Sequence, residues 1–176
     1  NPTNMNLFLL GVIVGFSFLA KYAAIYFVIS LVILITIDSN YRSIFLYSIN
    51  RFIMPIVGVF FVISPNLVWN YKNSWLTFSH TIDNASLNKI DGNFFGLLEF
   101  LLNQIVMIGP VLFLLFLFCA HKKISFDSNF KFLISFALPA IIIVGIESFL
   151  VKANANWAAV SLVSLSILFV NIVYNY

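Results

Sequence analysis

The 176-residue chain is 62% hydrophobic and 9% charged, with nine lysines and arginines against six acidic residues. A soluble domain needs a polar surface that so few charges cannot supply, so the composition excludes a soluble globular protein. The formal charge of +3 is interpreted as a bias of the loops between membrane spans, and it does not indicate a nucleic-acid partner. The single cysteine, Cys119, excludes an intramolecular disulfide and is interpreted as small apolar filler.

Five apolar runs are long enough to cross a hydrocarbon core of about 30 Å, which takes about 20 helical residues. They lack the alternation of barrel strands, and backbone groups in lipid must be satisfied within a segment. We therefore predict an all-α polytopic integral membrane protein with about five or six transmembrane helices. The runs are Leu7–Ile37, Ile49–Trp69, Phe94–Ala120, Phe130–Val151 and Trp157 to the C-terminus.

Residues 1–176 are predicted to form a single transmembrane domain. The chain opens with Asn1-Pro2-Thr3-Asn4 and shows neither an initiator methionine nor a basic leader segment before the first apolar run. This opening predicts a piece of a longer polytopic protein that lacks its N-terminal part.

Two of the runs are predicted to be interrupted. Lys21 lies near the middle of Leu7–Ile37, so either one long tilted helix carries a buried lysine or two short helices meet at Lys21. In both cases Gly11 and Gly15 would let a neighbouring helix approach closely. Pro110, which follows a glycine, predicts a kink in the third run.

The loops between the runs differ in their basic residues, which indicates the orientation of the chain. Residues 38–51 and 121–131 hold five lysines and arginines, whereas residues 70–93 and 152–156 hold three. The richer set is predicted to face the cytoplasm and the poorer set the outer side. Trp69, Trp75 and Trp157 are placed at the outer helix ends, as interfacial aromatic residues are.

The segment NYKNSWLTFSHTIDNASLNKIDG, residues 70–92, is predicted to be a long non-helical loop on the outer face. It contains His80, Asp83 and Asn84, and in a helix His80 and Asn84 would share one face with Asp83 beside them. Such a group could bind a metal, orient a sugar hydroxyl or hold a phosphate. The alternative is a solvated loop with a helix N-cap at Thr81 or Asp83.

Polar side chains in the third and fourth runs are candidates for lining a cavity. Glu99 and Asn103 are four residues apart, and Gln104 follows Asn103. Ionisable residues in a span usually face a cavity or a partner, although Glu99 is near enough to the outer end to extend into the interface instead. Glu147, near the outer end of the fourth run, either lines a cavity or is neutralised by Lys152.

A polar cluster precedes the last run, in the stretch KANANWAAVS at residues 152–161. Lys152, Asn154, Asn156 and Trp157 come where a helix re-enters the membrane, and the free amides of a helix N-terminus favour an anion such as a phosphate. The alternative is an N-cap at Asn156 with an interfacial Trp157, which leaves Lys152 and Asn154 without a role.

Five patches in the same order resemble the signatures of a known family. They are GFSFLAKYAA, SPNLVWNYKNSW, WLTFSHTIDNASL, EFLLNQIVMIGPVLF and KANANWAA, and they run along nearly the whole chain. The chain resembles the bacterial glycosyltransferase family 39 membrane proteins, in particular the lipid A galacturonosyl transferases. That subgroup is related to the dolichyl-phosphate-mannose protein mannosyltransferases and the aminoarabinose transferases. The patches are specific to the family and identify neither sugar nor acceptor.

The resemblance implies part of a GT-C type multi-helix bundle, with its active site on the periplasmic face of the bacterial inner membrane. It implies an inverting transfer of a sugar from a polyprenyl-phosphate donor to a lipid or other envelope acceptor, among membrane lipids. An Asp or Glu in the family's first outer loop is the expected general base, and that loop precedes the part covered by this chain. No cofactor is assigned, and the requirement for a divalent metal is left open.

Residue by residue, the resemblance assigns donor-binding roles to polar positions of the chain. Lys21 matches the lysine of a Gly-x-x-x-Leu-x-Lys pattern that would face the cavity and meet the donor phosphate. Val160 stands where family members often have proline, and Lys152 where they often have arginine, whose bidentate fork a lysine lacks. The outer-loop His-Thr-x-Asp-x-Ala run and the run ending in Asn-Trp-Ala-Ala supply the other matches: His80, Asp83, Asn84, Lys152, Asn154, Asn156 and Trp157.

Two other functional classes are compatible with these residues. A transporter or flippase subunit would line a polar path with Lys21, Glu99 and Glu147, although most polar residues here gather at one face. A non-catalytic remnant would keep the spans without the chemistry. The glycosyltransferase hypothesis is preferred, because cations at the outer boundary stabilise the negative charge that develops on a leaving lipid phosphate.

Overall fold

The computed structural model describes residues 2–85, 92–119, 126–151 and 153–174, with the backbone alone for Asn84 and Ala85. These ranges are mostly helical and contain no strand, which confirms the all-α prediction. Tyr22–Ala24 and Ala155–Ser161 form 3-10 helices. The α-helices are α1 (Asn4–Ala20), α2 (Ile25–Ile37), α3 (Ser39–Leu46), α4 (Ile49–Lys72), α5 (Leu76–Ala85), α6 (Phe94–Ile108), α7 (Pro110–Cys119), α8 (Ser128–Leu150) and α9 (Leu162–Tyr174).

The protein is an all-α polytopic membrane protein. Within the described ranges, three helical segments are long and apolar enough to cross a membrane: Ile49–Lys72, Ser128–Leu150 and Ala155–Tyr174. The number rises to five if each of two bent helix pairs forms one span. Helix α1, with 17 residues, is apolar and at the lower length limit for a span.

The chain divides into two compact units, Asn1–Thr81 and Ile82–Tyr176, called unit 1 and unit 2 below. In unit 1, α1 packs closely along α4 through glycines on both helices. A Cβ atom added at Gly11 would overlap the Pro55 carbonyl, and one added at Gly58 would overlap the Phe8 carbonyl. At Gly15 an added Cβ would lie 2.8 Å from Cβ of Val62. The predicted close approach at Gly11 and Gly15 is therefore confirmed, and the helix that approaches is α4.

The first apolar run is two helices that meet at Lys21. The residue is extended (φ −160°, ψ 129°), and its backbone N–H donates to the last turn of α1 at Ser17. A second break separates α2 from α3, which are bent by 111°. There the buried Asp38 accepts from the Asn40 amide at 2.8 Å, while Nε of Arg42 donates to the Ile35 carbonyl at 3.1 Å. The two side chains thereby satisfy backbone groups on both sides of the bend.

Unit 2 is organised around the packing of α8 on α9. On α7, Phe116 stacks against Phe169 with ring centroids 3.9 Å apart. On α6, the buried Phe100 packs beside Gly145 of α8. The core side chains are Leu133, Ala137, Leu165, Leu168 and Phe169.

The third apolar run is bent by 94° between α6 and α7. The break is at Gly109, whose φ of +101° is a conformation that residues with a side chain rarely adopt. Pro110 then begins α7, a position at which its missing N–H removes no helical hydrogen bond. The kink predicted at Pro110 is confirmed.

The prediction of a non-helical loop at residues 70–92 is wrong over most of its described part. Helix α4 continues to Lys72, and Leu76–Ala85 form α5 after a short turn. Thr81 lies inside α5 and donates its hydroxyl to the Thr77 carbonyl at 2.8 Å, so neither Thr81 nor Asp83 is an N-cap. The prediction was wrong because the segment is polar. The faces of α5 are largely exposed, so this helix does not require many apolar residues.

Candidate functional site

A polar cleft of about 290 Å³ lies in unit 2, where the beginning of α6 meets the end of α8 and residues 153–155. The wall also contains the aromatic rings of Phe95 and Phe100. Three of the residues predicted to line a cavity or bind a ligand therefore come together: Glu99, Asn103 and Asn154. The polar side chains of the wall belong to Asn93, Glu99, Asn103, Ser148 and Asn154.

Hydrogen bonds fix the first turn of α6 against the end of α8. Asn93 is the N-cap of α6, and its Oδ1 accepts from the Gly96 amide at 2.8 Å. Its own amide donates to the Phe149 carbonyl at 2.5 Å, and the Ser148 hydroxyl donates to the Gly96 carbonyl at 2.9 Å. A side chain at position 96 would crowd this junction, because an added Cβ would lie 2.8 Å from the Ser148 carbonyl oxygen.

Gln104 holds residues 153–155, which form one wall of the cleft, in place. Its side chain is 4% exposed and lies outside the residues that line the cleft. Nε2 donates to the Ala155 carbonyl at 3.0 Å, across 51 positions of sequence. Among the described residues its Oε1 has no hydrogen-bond partner. The sequence predicts that Gln104 lines a cavity. In the structure Gln104 is buried behind the lining residues and holds one of them, Ala155, by this hydrogen bond.

Glu99 and Asn103 share one face of α6, because residues four apart stand one above the other on a helix. Glu99 is exposed, Asn103 is half-buried and Asn154 is exposed. A carboxylate accepts hydrogen bonds, whereas each asparagine amide both accepts and donates. The cleft thus presents donors and acceptors to a ligand without a described cationic side chain in its wall.

The beginning of the last span has a different local structure from that predicted. It forms the seven-residue 3-10 helix Ala155–Ser161, and Asn156 and the half-buried Trp157 lie inside it. Asn154 precedes it without a side-chain capping bond, and its carbonyl accepts from the Trp157 amide at 3.0 Å. An N-cap at Asn156 is therefore wrong, and Lys152 lies outside the described residues.

A second polar cluster lies in unit 1, where the Lys21 junction meets the beginning of α5. The Tyr22 hydroxyl donates to Oγ1 of Thr77 at 2.9 Å, and the Thr77 hydroxyl donates to Oδ1 of Asn70. Asn70 is completely buried, and its Nδ2 donates to Oδ1 of Asn66 at 3.1 Å. Tyr22 also stacks on Phe78, with centroids 5.4 Å apart. Lys21 is exposed, and the next residue, Tyr22, is held against α5 by these contacts.

His80 and Asp83 are exposed on α5 and three positions apart, which places them on neighbouring parts of one helix face. Asn84 belongs to the same helix, and its side chain lies outside the described structure. Over the described ranges no group of three or more His, Cys, Asp or Glu side chains is arranged to hold a metal ion. Glu147 is half-buried in α8 and is not among the residues that line the cleft.

Several residues of these clusters were not predicted from the sequence. Asn93 carries a recognisable signal, since asparagine directly before an apolar helical run is a common N-cap. The bonds from Ser148 to Gly96 and from Tyr22 to Thr77 carry no such signal, because their partners are about 50 or more positions apart in the chain.

The chain is similar to the lipid A galacturonosyltransferase RgtD of Rhizobium johnstonii, with 29% identity over 167 residues. The alignment covers 94% of this chain and 34% of the relative, so the chain spans about a third of the relative's length. No protein-family model and no solved structure matches the chain. The similarity supports a relationship between this membrane protein and the glycosyltransferases.

Proposed function

We propose that this chain acts as, or as a membrane portion of, a family 39 type glycosyltransferase. It would transfer a sugar from a polyprenyl-phosphate donor to a lipid acceptor, such as lipid A, at the outer face of the inner membrane. The observation that carries the proposal is the identity to the lipid A galacturonosyltransferase over 94% of the chain. The polar cleft at the end of a bundle of apolar helices supports it, because a lipid-linked substrate has a polar head beside an apolar tail.

The proposed reaction is a substitution at the anomeric carbon of the donor sugar. The acceptor hydroxyl oxygen forms a bond to this carbon, while the bond from the carbon to the phosphate oxygen breaks. The polyprenyl phosphate leaves with the bonding electron pair, and the hydroxyl proton passes to a general base. The resemblance to the family implies an acidic base outside the segments matched here, so this chain is proposed to contribute binding and charge stabilisation.

Cationic side chains are proposed to stabilise the leaving phosphate. Negative charge grows on the phosphate as the bond breaks, and positive charge held nearby lowers the energy of that transition state. Lys21 and Lys152 are candidate cations, each proposed by itself, and the further donor-binding candidates are His80, Asp83, Asn84, Asn156 and Trp157.

Transfer is tested with the product of the intact gene, reconstituted in sealed proteoliposomes with an isotopically labelled polyprenyl-phosphate sugar and a lipid acceptor. We expect mass spectrometry to show an acceptor heavier by one sugar and an equal amount of free polyprenyl phosphate. An unchanged donor beside a functional positive-control enzyme would contradict the proposal. Movement of intact donor across the vesicle membrane without cleavage would indicate the transporter alternative.

Two of the proposed donor-binding residues are tested separately. His80→Ala and Lys152→Ala are each expected to lower turnover with little loss of folded protein, because each removes a side chain proposed to contact the donor. The matched control is Lys131→Ala, which changes a lysine in the first turn of α8, at the opposite end of that helix from Ser148. Wild-type turnover in both the His80 and the Lys152 variant would remove these residues from the site.

A further inference from the structure

The break between α1 and α2 at Lys21 is tied to the beginning of α5. The ring of the next residue, Tyr22, stacks on Phe78, and its hydroxyl donates to Oγ1 of Thr77 across 55 positions of sequence. We propose, resting on the function proposed above, that Tyr22 is a positioning residue that fixes Lys21 where its ammonium group meets the phosphate of the donor. The proposal follows from this long-range contact and not from Lys21 alone.

The local bonds of Lys21 stay within its own stretch of the chain. Its side chain is exposed, and its backbone is extended between α1 and the 3-10 helix that follows. Its amide donates to the Ser17 carbonyl at 2.8 Å, and its carbonyl accepts from the Ala24 amide at 3.1 Å. Tyr22 therefore supplies the contact that joins this break to α5.

The group that accepts the Tyr22 hydrogen bond is itself held by a buried side chain. The Thr77 hydroxyl donates to Oδ1 of Asn70, and the Thr77 amide donates to the same oxygen at 3.3 Å. Asn70 is completely buried, and its Nδ2 donates to Oδ1 of Asn66 at 3.1 Å. A chain of hydrogen bonds thus runs from Tyr22 into α4, so the position of the Tyr22 hydroxyl is set by the interior of unit 1.

The turn that leads to Thr77 has an unfavourable backbone conformation. Ser74 and Trp75 have φ angles of 54° and 59°, in the left-handed region that residues with a side chain rarely adopt. The Asn70 carbonyl stabilises the turn by accepting from the amides of Asn73 at 3.1 Å and Trp75 at 2.8 Å. Such positions persist where the surrounding structure fixes them, and they are frequent at ligand-binding sites. The turn therefore supports a role of this junction beyond the connection of two helices.

A lysine that binds phosphate depends on the position of its backbone. Its ammonium group is a point charge at the end of a flexible side chain, and a backbone fixed before the ligand arrives lowers the entropy lost on binding. Displacement of a group that stabilises developing charge slows the reaction. Loss of the Tyr22 hydroxyl should therefore act through Lys21, whereas a purely structural bond would act equally with and without the lysine.

A double-mutant cycle tests this link. Tyr22→Phe keeps the ring that stacks on Phe78 and removes only the hydroxyl, and it is introduced into the wild-type intact gene product and into its Lys21→Met variant. We expect Tyr22→Phe to lower kcat/KM for the donor about fivefold in the wild type and to have no effect after Lys21→Met, a coupling within the range for residues in contact. An equal loss in both backgrounds, or no loss in either, would overturn the proposal.

Two controls separate the hydrogen bond from a general disturbance of unit 1. Tyr71→Phe removes a phenolic hydroxyl from a residue that is 74% exposed on α4, and it is expected to leave kcat/KM unchanged in both backgrounds. Thr77→Val removes the acceptor and should reproduce the loss, while Thr77→Ser, which retains a hydroxyl, should recover most of it. A folded Thr77→Val variant with full activity would contradict the chain of bonds as the support of Lys21.

A binding measurement separates this proposal from the proposed function. If no donor and acceptor pair supports transfer, isothermal titration calorimetry with a short-chain polyprenyl phosphate still measures the contact with the phosphate. We expect Tyr22→Phe to raise Kd about fivefold when Lys21 is present and to leave Kd unchanged after Lys21→Met. Absence of binding, a Kd that Tyr22→Phe does not change, or binding that does not depend on Lys21 would contradict the positioning role, even where transfer is observed. Size-exclusion chromatography verifies that the variants are folded.

Discussion

Ser148 and Ser161 are both buried in unit 2, at 2% and 0% exposure, but their hydroxyls differ in hydrogen bonding. Ser148 donates to the Gly96 carbonyl, whereas the Ser161 hydroxyl has no partner in the described part of the chain. Ser148→Ala is expected to lower the free energy of unfolding by about 1 kcal/mol, since a typical buried hydrogen bond contributes that much. Ser161→Ala removes an unsatisfied group and is expected to leave stability unchanged or slightly higher.

The two serine variants form a matched pair, because each loses one hydroxyl from a buried position of the same unit. Denaturant titration in detergent micelles measures the difference in their free energies of unfolding. An equal loss in both variants would show that the bond between Ser148 and Gly96 does not stabilise the cleft.

Gln104 is expected to hold the segment that carries Asn154. Gln104→Leu removes the bond to the Ala155 carbonyl, which should expose residues 153–157 to faster hydrogen exchange. Global stability should change little, because the variant also removes the unpaired Oε1. Hydrogen-exchange mass spectrometry measures the effect, and unchanged exchange over this peptide would contradict the supporting role.

At the scale of single helices, the contact of α1 with α4 depends on glycine. Gly11→Ala would place a methyl group against the backbone of Pro55, and we expect it to destabilise unit 1 by about 1–3 kcal/mol, as overpacking does. Ile13→Ala is the control, because Ile13 is 63% exposed on the same helix. SDS-induced unfolding compares them, and a Gly11 variant as stable as the Ile13 variant would contradict the close contact.

The bend between α6 and α7 depends on the conformation of Gly109. An alanine there meets no neighbouring atom, so any loss of stability arises from the backbone conformation alone. We expect Gly109→Ala to cost about 1–3 kcal/mol, the range for strained backbone positions. Val111→Ala, at an exposed site on α7, serves as the control, and equal stability of the two variants would exclude a strained φ at Gly109.

The apolar runs predicted the long apolar helices well, because the length and hydrophobicity of a span are local properties of the sequence. The break in the first run was indicated by the charge of Lys21. The bend in the third run was indicated by Gly109 and Pro110. Helix α5 was missed because His80, Asp83 and other polar residues give the segment the composition of a loop. The roles of Gln104 and Ser148 depend on partners about 50 positions away, which no local pattern encodes.

At the scale of the molecule, the structure places Asn93 and Asn154 at the same end of unit 2. We therefore predict that Asn93→Cys and Asn154→Cys, each in a Cys119→Ser background, react with a membrane-impermeant maleimide from the same side of the membrane. Phe126→Cys, at the opposite end of α8 from Ser148, is expected to react from the other side. Labelling of Asn93→Cys and Asn154→Cys from opposite sides would contradict a common cleft.

The central proposal is that the chain is part of a membrane glycosyltransferase and that the polar cleft of unit 2 contributes to sugar transfer. Its most direct test is kcat/KM for sugar transfer by Asn103→Ala, compared with Asn129→Ala, which removes an exposed amide near the far end of α8. We predict a loss of about tenfold for the Asn103 variant, the upper range for one hydrogen bond to substrate, and wild-type kinetics for the Asn129 variant. A folded Asn103 variant that transfers sugar as fast as the wild type would contradict the claim.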